Sequence, residues 1–318
     1  MAIESPTPKQ LLVESIIWFS IGLVLFIGRL CSRRLLKGSW KNLGLDDGLM
    51  VLTFVFYTVL LILLQLAIRH GTNQMQPHEI PAVLADPAKI RDRIYGSKVI
   101  VGSNQAYLLT LWGTKSCMLA LYYRMTANTS AQTVVKFVMG YTILWFLIIE
   151  ITYLTICRPF SQYWAIIPSN PQCYNYNIGC ILVTVGNVSS DLLMLGIPIP
   201  FVLHSQLPPM KQAALVGTFS LGLFVIVAAV LGKAYNFALP KVTIFLLWDV
   251  RETSTAVFVA NLICLWPLAR KLFGWRSFLR GTSGRQTGLS GGKADDGHIQ
   301  MNHRDGYGDL ASVEDGRV

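Results

Sequence analysis

Seven apolar segments, each long enough to cross a lipid bilayer, constrain this chain more than any other feature of its sequence. An α-helix rises 1.5 Å per residue, so about 20 apolar residues cross the roughly 30 Å of hydrocarbon in a membrane. The composition agrees, because 53% of the 318 residues are hydrophobic and only 14% are charged, too few to solvate a soluble domain of that length. The sequence therefore predicts an all-α polytopic membrane protein, a bundle of seven transmembrane helices. The segments are Leu11–Gly28, Gly48–Ile68, Val99–Tyr123, Phe137–Cys157, Ile178–Leu203, Ala213–Leu231 and Val242–Leu268.

The last of these segments is ambiguous, because three charged residues, Asp249, Arg251 and Glu252, interrupt it. Charges at bilayer depth are costly, so the span proper is expected to begin near Glu252. Residues 243–248 would then lie at the membrane interface.

Cations mark one side of the predicted membrane. They follow spans one, three, five and seven, which places the amino terminus outside and the carboxyl terminus in the cytosol by the positive-inside rule. The same rule accounts for the net charge of +10, so no nucleic-acid partner is expected. The expected domains are an extracellular amino terminus at 1–10, the transmembrane domain at 11–271 and a disordered cytosolic tail at 272–318, where Gly, Ser, Asp and Arg replace Leu and Val. The cations are Arg29, Arg33, Arg34, Lys37, Lys41, Arg124, Lys136, Lys211, Arg270, Lys271, Arg276, Arg280 and Arg285.

The six cysteines are too few for a disulfide scaffold and lack the spacing of a metal site. Cys157 and Cys173 bracket an external loop, where an oxidising environment would let them form a disulfide worth roughly 3 kcal/mol in the chain-entropy model. Cys180 is a rival partner. Cys31, Cys117 and Cys264 are expected to be small buried hydrophobic residues.

Polar residues inside the predicted spans are the candidates for function. Eleven residues separate Asn104 from Lys115, and eleven steps of 100° return a helix almost to the same face. Asn187 and Asp191 are four residues apart and share a face of span five. Asp191 lies about as deep as a stretched lysine on span three reaches, so the sequence predicts a Lys115–Asp191 ion pair. Such a pair serves either as a device that fixes helix register or as a ligand contact.

The remaining intramembrane acids, Glu150 and Glu252, are expected toward the outside, where water reaches them. Asp46 and Asp47 precede span two and are expected to cap its helix, accepting backbone N–H groups at the positive end of the helix dipole. They are not assigned to a site. No catalytic residue, metal or cofactor is assigned either. The predicted ligand-pocket residues are Asn104, Lys115, Glu150, Asn187, Asp191 and Glu252.

The order of several short motifs resembles the fungal rhodopsin-domain membrane proteins, a family that includes satratoxin-cluster-type membrane proteins and receptor-like proteins of fungi. The resemblance spans the chain up to Lys271 and implies a seven-helix bundle with an outside amino terminus and a receptor-like role. The motifs are Leu43-Gly-Leu-Asp-Asp47, Lys115 with Tyr122-Tyr-Arg124, Cys157-Arg-Pro159 with Trp164 and Cys173, Asn187 with Asp191, Pro198-Ile-Pro200, Trp248, Glu252 and Pro267.

The chemistry of the last span argues against a photoreceptor. Retinal proteins hold their chromophore as a Schiff base on a lysine of the last helix, but the stretch Thr253–Leu268 has no lysine and Lys241 precedes the span. We therefore expect a receptor-like sensor of a small apolar or amphipathic ligand, with a pocket among spans three, four, five and seven. A cytosolic signalling protein is a second expected partner besides the lipid bilayer. A receptor-like role favours the plasma membrane over internal membranes.

The alternative is a membrane-embedded enzyme or accessory protein of a fungal secondary-metabolite pathway. Asp191, Glu150 or Glu252 would then protonate an apolar substrate in a dry pocket. The chain offers no metal cluster, nucleophile motif or phosphate loop for catalysis. A role as an enzyme is for that reason the less favoured of the two.

Overall fold

The computed structural model describes residues 7–37, 44–75, 79–168, 170, 173, 177–197, 227, 230 and 245–272. Helices and no strand occur in these residues. The α-helices are α1 (Pro8–Lys37), α2 (Leu45–His70), α3 (Ile80–Leu84), α4 (Pro87–Met125), α5 (Ala131–Ile156), α6 (Asn177–Gly196) and α7 (Phe245–Leu272), with a 3₁₀ turn at Phe160–Trp164.

Two helix starts follow directly from local sequence. At α1, the Thr7 hydroxyl accepts from the backbone N–H of Gln10 at 3.3 Å, and the Gln10 side chain accepts from the Thr7 N–H at 2.9 Å, a capping box followed by a proline at the first helical position. At α4, the Asp86 carboxylate accepts from the Ala88 N–H at 2.9 Å. This cap starts α4 well before the predicted span Val99–Tyr123.

Four helices are long and apolar enough to cross a membrane: α1 over Pro8–Leu35, α2, α5 and α6. Helices α4 and α7 are also long, with 39 and 28 residues, but they are not among these four. The predicted spans one to five and seven fall on these six helices. The predicted sixth span, Ala213–Leu231, lies outside the described residues apart from Val227 and Val230, which are helical and exposed.

Contacts between helices set their relative directions. Helix α2 runs antiparallel to α4, because Thr53 packs on Gly113 while Gly71, near the end of α2, packs on Gly96, near the start of α4. A Cβ on Gly96 would overlap the carbonyl oxygen of Gly71. Gly71 itself adopts a φ of +71°, a backbone conformation that favours glycine. Close backbone approach therefore joins these two helices.

Helices α1 and α7 run in the same direction. Glu14 of α1 pairs with Arg251, Gly22 packs on Phe258 and Gly28 packs on Leu265, so positions advance together along both helices. Helices α4, α6 and α7 run parallel to one another, because residues earlier on all three helices line one cavity and residues later on all three line a second one. Helix α5 runs antiparallel to α6, since Tyr141 contacts Ser189 while Trp145 packs on Gly186.

Apolar side chains line both the inside and the outside of this bundle. A cluster of stacked rings fills the space between α1 and α2, with Phe26 and Phe54 parallel and 4.3 Å apart. Exposed aliphatic side chains cover the outer faces, among them Val24, Ile62 and Ile151. Because these outer faces are covered by aliphatic side chains, they suit contact with lipid rather than with water.

The loop after α5 is held by covalent and polar contacts. Cys157 and Cys173 form the predicted disulfide, with Cα atoms 5.7 Å apart, and the rival Cys180 takes no part in it. The Asn73 side chain donates to the carbonyl oxygens of Tyr163 and Ala165, each at 3.1 Å. Burial raises the pKa of Tyr163 to about 12, and its hydroxyl donates to a backbone carbonyl at 2.6 Å. The loop is therefore fixed against α5 and the segment that follows α2.

Two cysteines behave as predicted and one does not. Cys117 and Cys264 are buried, but Cys31 is exposed on the outer face of α1. The prediction failed for Cys31 because the apolar pattern of α1 is nearly uniform around the helix, so it does not reveal which face turns inward.

Candidate functional site

Lys115 lies at the centre of a buried polar network. Its ammonium is 3% exposed and donates to the Asn187 carbonyl at 2.9 Å, the Ser190 hydroxyl at 2.8 Å and the Asp191 carboxylate at 2.5 Å. These three bonds use all three N–H groups of the ammonium. The ion pair predicted between Lys115 and Asp191 is therefore present, and it joins α4 to α6.

Glu252 extends the network to α7. One of its oxygens accepts from the Asn187 amide at 2.8 Å and the other accepts from the Tyr107 hydroxyl at 2.8 Å. The expectation that water reaches Glu252 is wrong, because its side chain is only 3% exposed. Helix α7 begins at Phe245, about two turns earlier than the predicted start, which carries Glu252 into the bundle.

The network links three helices through one continuous chain of hydrogen bonds. The chain runs from Tyr107 through Glu252 and Asn187 to Lys115 and Asp191. A charged group in a low-dielectric interior is tolerated when it is paired or hydrogen-bonded; here Lys115 and Asp191 form an ion pair, and both oxygens of Glu252 accept hydrogen bonds. The arrangement fixes the register of α4, α6 and α7 against one another.

Two cavities lie on opposite sides of this series of hydrogen bonds. The Tyr107 cavity, about 110 Å³, is lined by apolar side chains including Ile149, Val183 and Phe245 and by the polar residues Asn104, Tyr107 and Asp249. The Asp191 cavity, about 50 Å³, is lined by Lys115, Asn187, Asp191, Thr114, Tyr122 and Val259. Glu252 belongs to neither lining. It connects Tyr107 of the first cavity to Asn187 of the second.

The six predicted pocket residues are therefore distributed over three places. Lys115, Asn187, Asp191 and Glu252 form the network, and Asn104 lines the Tyr107 cavity about three turns away from Lys115 along α4. Glu150 is half-buried and lines neither cavity. With the Gln105 amide nitrogen turned toward it, Glu150 accepts hydrogen bonds at 3.0 and 3.2 Å.

A second polar cluster, which the sequence did not predict, occupies the other end of the bundle. Arg29 is fully buried and donates to both aspartates, at 3.4 Å to Asp46 and 3.3 Å to Asp47. Arg33 contacts Asp46 at 2.7 Å, and the half-exposed Arg124 contacts Asp46 at 3.3 Å. We refer to these five residues as the arginine cluster.

The expectation that Asp46 and Asp47 cap α2 is confirmed for Asp47, but it missed the arginine partners of both residues. Asp47 does accept from the Gly44 N–H at 3.2 Å, but both aspartates are buried and their main partners are arginines. Arg29 also donates to the carbonyl of Ala260 at 3.2 Å, so the cluster holds α1, α2 and α7 together. The sequence signal was the spacing of Arg29 and Arg33, which places both guanidinium groups on one face of α1.

Two thiols border the arginine cluster. Cys117 donates to the Asp46 carbonyl at 2.9 Å, and Cys264 lies 3.6 Å from the Arg33 guanidinium. In the part of the chain that the structure describes, no group of three or more His, Cys, Asp or Glu residues is arranged to hold a metal ion.

The comparisons with known proteins assign a family but no close relative. Neither the curated proteins nor the solved structures contain a match to this chain. The family model described as the fungal rhodopsin domain matches residues 28–271, which cover α2 to α7 and the end of α1. With its long apolar helices and this match over most of its length, the chain is an integral membrane protein that belongs to the fungal rhodopsin domain family.

Proposed function

We propose that this protein is a receptor-like sensor that binds a small apolar or amphipathic ligand in the Tyr107 cavity. The observation that carries the proposal is the position of this cavity at one end of the series of hydrogen bonds that leads to Asp191. Its lining is mainly apolar, with a few converging polar groups, as in most ligand sites. A ligand that displaces or binds the Tyr107 hydroxyl would alter the contact of Glu252 with α4.

The size of the cavity restricts the ligand. A cavity of about 110 Å³ is smaller than the roughly 150 Å³ apolar cavity that accommodates benzene in another protein. A ligand larger than this space would either extend out of the cavity or separate the helices. Such a separation would transmit binding to the rest of the bundle, because α4, α6 and α7 share the network.

The proposal includes seven spans with the amino terminus outside. The support for seven spans is the parallel arrangement of α6 and α7, which requires the chain to cross the membrane once more between them. The apolar segment Ala213–Leu231 is long enough for that crossing. Fluorescent tags or protease sites at the two termini test this topology. Finding both termini on the same side of the membrane would refute it.

Retinal is excluded from the proposal on chemical grounds. Lys115 uses all of its N–H groups in the network, and α7 carries a lysine only in its last turn, Lys271. An absorbance band of the purified protein that shifts on treatment with hydroxylamine would overturn this part of the proposal.

The alternative, an enzyme that protonates an apolar substrate, has weaker support. Asp191 is paired with Lys115, and both oxygens of Glu252 accept hydrogen bonds from protein groups, so both carboxyl groups are already engaged within the protein. Glu150 lines neither cavity. Asp249 lines the Tyr107 cavity and is the carboxyl group best placed for this alternative.

A comparison of otherwise identical cells with and without the protein separates the two functions. A sensor should leave the lipophilic metabolites unchanged and alter transcription or second-messenger levels. A new or missing lipophilic product would favour the enzyme. Imaging of the tagged protein in the same cells tests the proposed plasma-membrane location.

A pair of variants assigns the response to the cavity. Val183→Phe fills the Tyr107 cavity and should abolish the cellular response, whereas Val185→Phe, on the exposed side of the same helix, should preserve it. Equal responses from both variants, at equal expression, would refute the assignment of the ligand to this cavity.

A further inference from the structure

Asn187 has one hydrogen-bonding atom that the network does not use. Its amide nitrogen donates to Glu252, and this contact fixes the orientation of the amide, since a flipped amide would place two oxygens face to face. The side-chain oxygen is then directed away from Glu252. It is buried and has no hydrogen-bond partner among the residues that the structure describes, although the residue is only 3% exposed.

The Asp191 cavity, which Asn187 lines, is rich in further acceptors. Asp191 gives one carboxylate oxygen to Lys115, and 17% of its side chain remains accessible. Thr114 uses its hydroxyl proton on the carbonyl of Leu111 at 2.7 Å, which leaves only acceptor lone pairs toward the cavity. An occupant of this cavity must therefore donate hydrogen bonds.

A neutral occupant that both donates and accepts hydrogen bonds fits this cavity better than a cation. Tyr122 lines the same cavity, and its hydroxyl can donate as well as accept. A cation would lie beside the Lys115 ammonium and be repelled by it. Lys115 itself has no N–H group left to contribute.

We propose that the Asp191 cavity is a hydration site that holds ordered water bridging the Asn187 side-chain oxygen, Asp191 and Tyr122. Water is small and neutral, and it both donates and accepts. The cavity volume of about 50 Å³ exceeds several-fold the roughly 10–15 Å³ that one buried water needs. The three polar side chains provide the two to four partners that a buried water typically has.

Hydration at this place has a consequence for the Lys115–Asp191 pair. Water adjacent to Asp191 solvates its second oxygen and keeps the carboxylate stable if the lysine moves away. The ion pair can then separate at lower cost than in a dry interior, where each ion would lose its oppositely charged partner with nothing to replace it.

The direct test is a structure of the full chain in lipid nanodiscs at a resolution that shows ordered water. The expected result is an isolated density within about 2.7–3.2 Å of the Asn187 side-chain oxygen. Continuous lipid or side-chain density in the cavity, or an Asn187 oxygen that bonds a protein group instead, would overturn the proposal.

A measurement in solution distinguishes water from a cation. Melting temperatures of the wild-type protein are compared in sodium, potassium and N-methyl-D-glucamine chloride at the same ionic strength. A hydration site predicts the same melting temperature in all three salts. A rise specific to sodium or potassium, absent after Asn187→Leu, would replace water by a cation and refute the proposal.

A cavity-filling variant gives a result of opposite sign for a wet and a dry cavity. Ala256→Leu directs extra apolar volume into the Asp191 cavity. Expelling water leaves the Asn187 and Asp191 oxygens without donors, so the melting temperature should fall relative to Val185→Leu, a control on the exposed side of α6. A rise would show that the cavity was dry and that filling it improved packing. If Ala256→Leu fails to fold, the wild-type nanodisc structure still decides the question.

Discussion

Replacing Asp191 by Asn would leave the Lys115 ammonium in the middle of the bundle with no carboxylate in hydrogen-bond contact with it. The side chains of Asp and Asn have nearly the same shape, so the change removes charge while keeping volume. Lys115 would keep its bonds to the Asn187 carbonyl and the Ser190 hydroxyl. The variant therefore isolates the cost of an uncompensated buried charge from the loss of packing.

The expected cost follows from the burial of the pair. Removing one partner of a buried ion pair typically destabilises a protein by about 3–5 kcal/mol. A neutral hydrogen bond between membrane helices is worth only about 0.6 kcal/mol on average. These two energies distinguish an unpaired buried charge from the loss of an ordinary hydrogen bond. An unpaired charge should lower the apparent melting temperature by on the order of 10 °C, and a lost hydrogen bond should lower it by about one or two degrees.

The assay is thermal unfolding of the detergent-purified protein, with expression level as a second readout. Lys115→Met should cost less than Asp191→Asn, because Asp191 is partly accessible and can recruit water. The double variant Lys115→Met/Asp191→Leu should recover most of the loss, since an apolar pair replaces both ions. Asp92→Asn, which removes a surface pair with His70, should change stability by less than about 1 kcal/mol.

Wild-type expression and melting temperature in Asp191→Asn would refute the reasoning. Failure of the double variant to recover any stability would refute it in a different way, because the pair would then be required for more than charge balance.

Three further variants test other parts of the fold. Gly96→Ala should destabilise the protein strongly, because its Cβ would meet the backbone at the end of α2, whereas Gly140→Ala, with open space around it, should be neutral or slightly stabilising by thermal unfolding. Arg29→Met should lower stability by about 3–5 kcal/mol, because two buried aspartates lose the more buried of the two arginines that they share; unchanged melting would contradict the buried cluster. Cys157→Ser and Cys173→Ser should each cost about 3 kcal/mol, and the double variant should cost no more than either one, as measured without reductant.

The Lys115–Asp191 pair could be predicted because helical periodicity and depth were sufficient. Both residues lie well inside long apolar segments, so their depth was set by counting residues from the ends. A lone cation and a lone anion at similar depth have few alternatives to each other. The contacts of Lys115 with the Asn187 carbonyl and Ser190 were beyond prediction, since they depend on the rotation of α6 about its own axis.

The predicted position of Glu252 was wrong because the charged residues around it were interpreted as marking the edge of the membrane. Arg251 and Glu252 are adjacent, and adjacent residues on a helix point about 100° apart. Arg251 turns outward to pair with Glu14 on α1, while Glu252 turns inward to Tyr107 and Asn187. Sequence alone shows that both are charged, but the identity of the partner decides which of them is buried.

The arginine cluster escaped prediction for a related reason. The positive-inside rule explains why arginines follow span one, and this explanation left no reason to seek partners for them. The partners come from separate helices, including the carbonyl of Ala260 on α7, far along the chain from Arg29. Only the packing of α1 between α2 and α7 brings them together.

Helix α4 connects the two polar assemblies. Lys115 and Cys117 are two residues apart and therefore lie on nearly opposite faces of the helix. Lys115 turns to α6 and the network, while Cys117 turns to the Asp46 carbonyl and the arginine cluster. A rotation or shift of α4 that lengthened the Lys115–Asp191 contact would move Cys117 and Arg124 against Asp46 at the same time. Tyr107, through which the proposed ligand acts, also belongs to α4, so this helix would carry the effect of the ligand to the arginine cluster. Arg124 is the most exposed member of the cluster, and the effect would reach the surface there.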